Sequence, residues 1–191
     1  METNDTSSLL AHLETRRSAR PRDIVAPGPD AAQLGEILQL AARTPDHGAL
    51  VPYRFLLIED REALADLFET ACSAEDPDCT PLKRQKFRDK AQWAPTLVAL
   101  IAAPIERHKI PVWEQELTVG AVGMNLLHAV HAHGFVGGWI TGAQSYAPAV
   151  VDALCRGGER IAGFFYIGSP GEPLTERDRP AMDAIVSRWP S

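Results

Sequence analysis

WEQELTVGAVGMNLLHAVHAHGFVGGWITG, residues 113–142, holds the longest periodic segment of the chain and the turn that ends it. From Trp113 to His133 apolar residues recur at helical spacing on more than one face, which predicts the longest helix, and Gly134 stands where a helix takes its C-terminal glycine. Such a helix is a central core element, a subunit-interface helix, or both; Gly120, Ala121 and Gly123 leave room for another backbone against it. After the turn, Phe135 to Thr141 reads as a strand, and the glycines around it open its backbone to a flat ligand.

Working outward, Thr96 to Ile105 is a nearly continuous apolar run bounded by prolines, as a buried central strand would be. Downstream, Pro148 to Leu154 predicts a short helix and Ile161 to Ile167 a further strand. Upstream, Asp30 and Gln33 form a capping-box pattern for a helix carrying Leu34, Ile37, Leu38 and Ala41, which stops before Pro45. Tyr53 to Glu59 reads as a strand, and Asp60 caps a helix carrying Leu64, Leu67, Phe68 and Ala71. Ser73 to Pro81 and the charged Lys83 to Lys90 read as a mobile surface excursion. A first helix, capped by Ser7 or Ser8, carries Leu9, Leu10 and Leu13, runs into the basic cluster at Arg16 and ends at Pro21. Helices mixed with about four strands, without regular βαβ alternation, predict an α+β fold, with residues 1–191 as one domain.

Composition narrows the function. A net charge of -6 and a pI near 5.5 exclude a general nucleic-acid binder, while leaving room for a few arginines to hold a phosphate. Cys72, Cys79 and Cys155 show neither metal-ligand spacing nor a disulfide framework and read as bystanders in a reduced protein. METNDTSSLL lacks the pattern of a secretory leader, and no apolar run reaches membrane-spanning length, so the expectation is a cytoplasmic protein with no membrane or nucleic-acid partner.

The common catalytic signatures are missing: no Gly-rich phosphate loop, no paired zinc-type histidines, no nucleophile elbow. His128, His131 and His133 share no helix face and read as solvated or capping side chains rather than a metal site. Chemistry then has to come from a cofactor. Three segments are candidates to hold one. Arg16-Arg17-Ser18-Ala19-Arg20 offers guanidinium forks and a hydroxyl for a phosphate, or else only the cations a helix C-terminus favours. The turn from Arg43 to Gly48, with His47, either hands polar groups to a ligand or is solvated. Gly134-Phe135-Val136-Gly137-Gly138-Trp139-Ile140-Thr141-Gly142 either lets a flat ligand approach its backbone through glycines around a strand or is core around Trp139.

Taken together, RRSAR near the start, ILQLAARTPDHGALVPYRFLLIE, PVWEQELTVGAV and GFVGGWITGA before FFYIGSP resemble the FMN-dependent nitroreductase family, and more narrowly its minimal single-domain branch of NAD(P)H nitroreductases. The resemblance implies a three-layer α+β sandwich, a mainly antiparallel sheet flanked by helices, in a homodimer whose FMN sits at the subunit interface. By position it assigns Arg16, Arg17 and Ser18, with Arg20, to the flavin phosphate and edge from one chain. It assigns Arg43 and His47 to the same flavin from the partner, and Trp139, Ile140, Thr141 and Gly142 to the side of the ring, with backbone N–H groups donating near flavin N5. Arg177 and Arg179 lie near a further basic position of some members. Ala49, Val51 and Tyr53 stand where the family often has Asn, Gln and Trp, which implies a plainer pocket. The implied reaction is ping-pong hydride transfer: NAD(P)H reduces FMN, and a nitroaromatic, quinone or related acceptor is then reduced. A flavin-dependent oxidase or desaturase of a metabolite and a non-catalytic flavin-binding protein are the alternatives.

Overall fold

The computed structural model describes residues 3–76 and 78–190. Among these, five strands form one antiparallel sheet: β1 (Ile24–Val25), β2 (Tyr53–Leu57), β3 (Thr96–Ala102), β4 (Val136–Ile140) and β5 (Arg160–Pro170). β5 is the spine. It pairs with β3 over Arg160 to Ile167 and with β4 over Phe164 to Gly168, so these two strands flank it, while β1 joins its last residues. β2 lies outside β3, so β2 and β4 are opposite edges.

The apolar run of β3 is continuous because both faces of the sheet are covered. Leu97, Ala99 and Ile101 join Phe164 and Tyr166 in one core; Val98, Leu100 and Ala102 join Phe165 and Ile167 in the other. The second core is roofed by α2 (Ala31–Ala41) and α5 (Val112–Ala132), the first by α3 (Arg61–Glu75), α4 (Pro81–Gln92) and the short α6 (Ala143–Tyr146) and α7 (Pro148–Leu154). This is the three-layer sandwich the resemblance implies.

Where caps were readable, boundaries agree. Asp30 and Gln33 close a capping box on α2, Asp60 accepts from the Ala63 N–H at the start of α3, and Gly134 leaves α5 at φ 80°. Three expectations need correction. α1 (Leu9–Thr15) stops before the arginines, because Asn4 and Asp5 fold back onto its end: Asn4 N–H donates to Thr15 O at 3.1 Å and Asp5 N–H to Thr15 Oγ1 at 2.9 Å. The Ser73–Pro81 and Lys83–Lys90 stretch, of which Pro77 lies outside the described residues, is largely helical. α4 is capped by Thr80, buries Phe87 and Ala91, and pairs its charges with α3, Arg88 reaching Glu62, Asp66 and Glu69. Cys72 and Cys79 are joined in a disulfide between the end of α3 and the approach to α4 rather than standing as bystanders.

No helix of the described residues is long and apolar enough to cross a membrane. Beyond β5, α8 (Met182–Ile185) belongs to an exposed tail in which Met182, Ile185, Val186 and Trp189 face outward, Trp189 at 97% exposure.

Candidate active site

Residues 16–21 cover the free edge of β4. The Ala19 N–H donates to Gly137 O at 3.0 Å, and a Cβ on Gly138 would lie 2.7 Å from Ala19 O, so only glycine lets the two backbones approach this closely. The glycines of this strand therefore make room for protein rather than for a flat ligand: Gly138 for Ala19 and Pro21, Gly137 for Leu127. This contact brings two of the three candidate segments together.

At the basic end, Arg17 is 3% exposed and already engaged. Its Nε–H donates to Thr175 O at 3.1 Å and its guanidinium pairs with Glu176 at 3.4 Å, tying the C-terminal segment to the site. Arg16 is different: its Nε is buried and has no partner among the described residues. Burial first, then the charges of Arg179, Arg17 and Arg177, hold its guanidinium below the ordinary arginine value, against which only Glu176 pulls. Arg177 and Arg179 thus belong to the cluster. Ser18, Arg20 and Arg177, with Asp23, Glu172 and Thr175, line a polar cleft of about 570 Å³. Crowded guanidinium groups around a buried, unanswered N–H fit a phosphate, which would supply the missing acceptor and offset the repulsion.

Below this end lies a cluster that sequence reading missed. His12 Nε2 and His128 Nδ1 are 2.7 Å apart, and the His12 ring packs edge-on against His131, which is 1% exposed. His128 and His131 are therefore not solvated, a correction whose signal was hidden because His12 lies 116 residues from His128. Among the described residues no group of three or more His, Cys, Asp or Glu is placed to hold a metal.

At the other end, the Trp139 side chain is committed to the α5 core. It stacks on Phe165 at 5.0 Å, its Nε1–H donates to Ala162 O at 3.1 Å, and it fills the space left by Gly123 and Gly163. It also lines an apolar cavity of about 520 Å³ with Gly120, Ser145, Tyr146, Arg160 and Ile161. Ile140 packs in the opposite core, Thr141 is exposed, and Gly142 turns the chain into α6 at φ 140°. Gln144, on α6, accepts from Lys90 Nζ at 3.1 Å and donates to Thr141 O at 3.3 Å. Lys90 thus reaches the turn that follows β4.

Arg43 and His47 are not brought to this site within the chain. They lie in the turn after α2, which packs on α5: the Asn125 amide donates to Thr44 Oγ1 at 2.7 Å and the Thr118 hydroxyl to Pro45 O at 3.2 Å. His47 Nδ1 lies 2.7 Å from Glu114 Oε2, and Arg43 is exposed beside Glu36 and Gln39.

The nitroreductase family model matches residues 13–169, from α1 to the end of β5. The chain belongs to the nitroreductase family. Its nitroreductase relatives include the "Putative NAD(P)H nitroreductase YdjA" of Escherichia coli K12, 36% identical over 164 residues that make up 84% of this chain and 87% of that one. Among solved nitroreductase-like structures, a Bacillus cereus protein superposes with a TM-score of 0.83 at 20% identity, covering 97% of each chain. An FMN complex from Desulfovibrio desulfuricans gives 0.72 at 16% identity, covering 94% of this chain and 95% of that one. These two likenesses establish the shared fold.

Proposed function

We propose that the chain is an FMN-dependent oxidoreductase that works as a homodimer, takes hydride from NAD(P)H and reduces nitroaromatic, quinone or related small acceptors. The observation that carries this reading is Arg16: a half-buried side chain whose buried Nε lacks an acceptor among the described residues, set among Arg17, Arg177 and Arg179 on an otherwise acidic protein. Such an arrangement is costly unless an anion completes it. The relatives named as NAD(P)H nitroreductases and the FMN-bound structural neighbour support reading that anion as the FMN phosphate and the donor as NAD(P)H.

FMN, when bound, supplies the chemistry: it takes a hydride from the nicotinamide and passes the electrons to the acceptor. The residues of this chain bind and orient. Arg16 and Arg177 hold the phosphate, with Ser18 and Arg20 along the cleft. Arg17 keeps the C-terminal segment over that cleft through Thr175 and Glu176. Trp139, Ile140, Thr141 and Gly142 form the wall beside the ring, with the Trp139 indole anchoring the strand through Ala162 O. Arg43 and His47 come from the partner. A flavin touched by both sets would then draw on two chains. Exposed Leu9, Leu10 and Leu13 on α1, Trp113 and Leu117 on α5, and the apolar tail supply a surface for that partner.

Purified protein should be yellow and should bleach under anaerobic NADH or NADPH, then recover its colour on addition of a quinone or nitroaromatic. A colourless protein that refuses added FMN contradicts the reading.

A further inference from the structure

We propose that Gln144 is a positioning residue that aims the Gly142 N–H at the flavin edge, and that Lys90 sets the orientation of the Gln144 amide. The inference rests on the FMN reading above.

Gln144 is 0% exposed, on a helix of one turn, and a buried amide is tolerated only when its polar atoms are answered. Both ends are. Lys90 Nζ donates to Oε1 at 3.1 Å, and Nε2 donates to Thr141 O at 3.3 Å. An ammonium only donates and a carbonyl only accepts, so this amide has one workable orientation. Lys90 is itself steadied by lying 3.9 Å over the Phe87 ring, which is buried against the sheet.

The consequence follows from peptide geometry. In a trans peptide the C=O and N–H point in opposite directions, and Thr141 O and Gly142 N belong to one peptide. Drawing Thr141 O inward to Gln144 turns the Gly142 N–H outward. The next carbonyl, Gly142 O, is also tied, accepting from Ser145 N–H at 2.8 Å. The backbone at Gly142, φ 140° and ψ -172°, is open to glycine and strained for other residues, and a Cβ there would lie 3.1 Å from Gln144 Oε1. The peptides on either side of the Gly142 Cα are therefore each held through their carbonyl, which leaves the Gly142 N–H on the side of its peptide away from Gln144. A donor fixed in advance favours the electron-richer state of a bound ring, without an acidic group and without reorganisation at the moment of transfer.

Glu at position 144 would still accept from Lys90 but would set a carboxylate against Thr141 O; Leu would answer neither partner. In FMN-loaded protein, Gln144→Glu and Gln144→Leu should each shift the oxidised-to-reduced flavin equilibrium at least about tenfold toward the oxidised form, a midpoint potential about 30 mV lower for a two-electron couple. FMN affinity, read by flavin fluorescence, should change by less than about threefold. Lys90→Met should lower the potential in the same direction, and adding it to Gln144→Leu should change nothing further, because Lys90 acts through Gln144. Unchanged potentials in the Gln144 variants overturn the proposal, as does loss of FMN binding in both without a shift in Lys90→Met. If Gln144→Leu does not fold, an unchanged potential in Lys90→Met overturns it alone. Wild-type protein that never takes up FMN overturns the functional reading and this inference with it.

Discussion

The two ends of the candidate site are built on opposite plans. At the basic end, half-buried Arg16 has its buried Nε unanswered among the described residues and three guanidinium neighbours, above histidines packed ring to ring. At the ring end, Gln144, Thr141, Gly142 and Trp139 have their partners within the chain. One end leaves a buried guanidinium N–H unanswered; at the other, the Gln144 amide and the Trp139 indole are answered within the chain. Affinity should therefore reside at the first and electronic tuning at the second, which makes the difference open to dissection.

The sharpest break comes at Arg16. Arg16→Ala should weaken FMN binding on the order of 10- to 100-fold, the loss of one charge-assisted contact worth about 1.5–3 kcal/mol. The same change should leave the flavin-free protein as stable as before or more so, because an unanswered buried donor is removed. Titration calorimetry with FMN and thermal melts with and without it read the two effects separately; equal losses in both melts would mean that Arg16 is structural.

The seam between the ends is tested by Gly138→Ala. Its methyl group would meet the Ala19 carbonyl at 2.7 Å, backbone against backbone. A loss of about 1–3 kcal/mol in denaturant unfolding is expected, with FMN binding weakened because residues 16–21 are pushed off β4. Unchanged stability would show that these segments are not locked together.

A smaller effect concerns pH. Burial first, then the charges of His12, Arg16 and His128, pushes His131 from the ordinary 6.5 down to about 3, and burial likewise holds His12 and His128 down. As the pH falls through about 6.5 the unfolded chain takes up a proton at His131 that the folded protein refuses until about 3. Its contribution to stability is thus complete above pH 6.5 and is lost progressively toward pH 3, at about 1.4 kcal/mol per pH unit. His131→Phe should flatten this acid limb by one proton, about 2 kcal/mol between pH 6.5 and pH 5 in urea titrations. An acid limb of unchanged slope would place the proton elsewhere.

Legibility in the sequence followed the range of the interactions. The capping box of α2, the cap of α3, the glycine exit of α5 and the bounds of α7 rest on neighbours a few residues apart and were readable. The end of α1 was not, since it is set by Asn4 and Asp5 folding back on Thr15. Nor was α4, whose apolar stripe is only Phe87 and Ala91 within a charged segment. The Arg16 cluster was half visible: RRSAR was, and the resemblance pointed to Arg177 and Arg179, but the fold was needed to set them beside Arg16. Gln144 carries no motif, and its importance arises from a lysine 54 residues away.

The central claim, that one flavin draws on two chains, is tested most directly by complementation. Arg16→Ala and Arg43→Ala subunits bearing different tags are co-expressed, the mixed dimer is isolated, and its FMN content is compared with that of each parent. In the mixed dimer one site keeps both Arg16 and Arg43 while the other has lost both, so we predict that half of the wild-type flavin returns with wild-type affinity. Mixed dimers no better than their parents, or a wild-type protein that sediments as a monomer with flavin bound, would contradict the account.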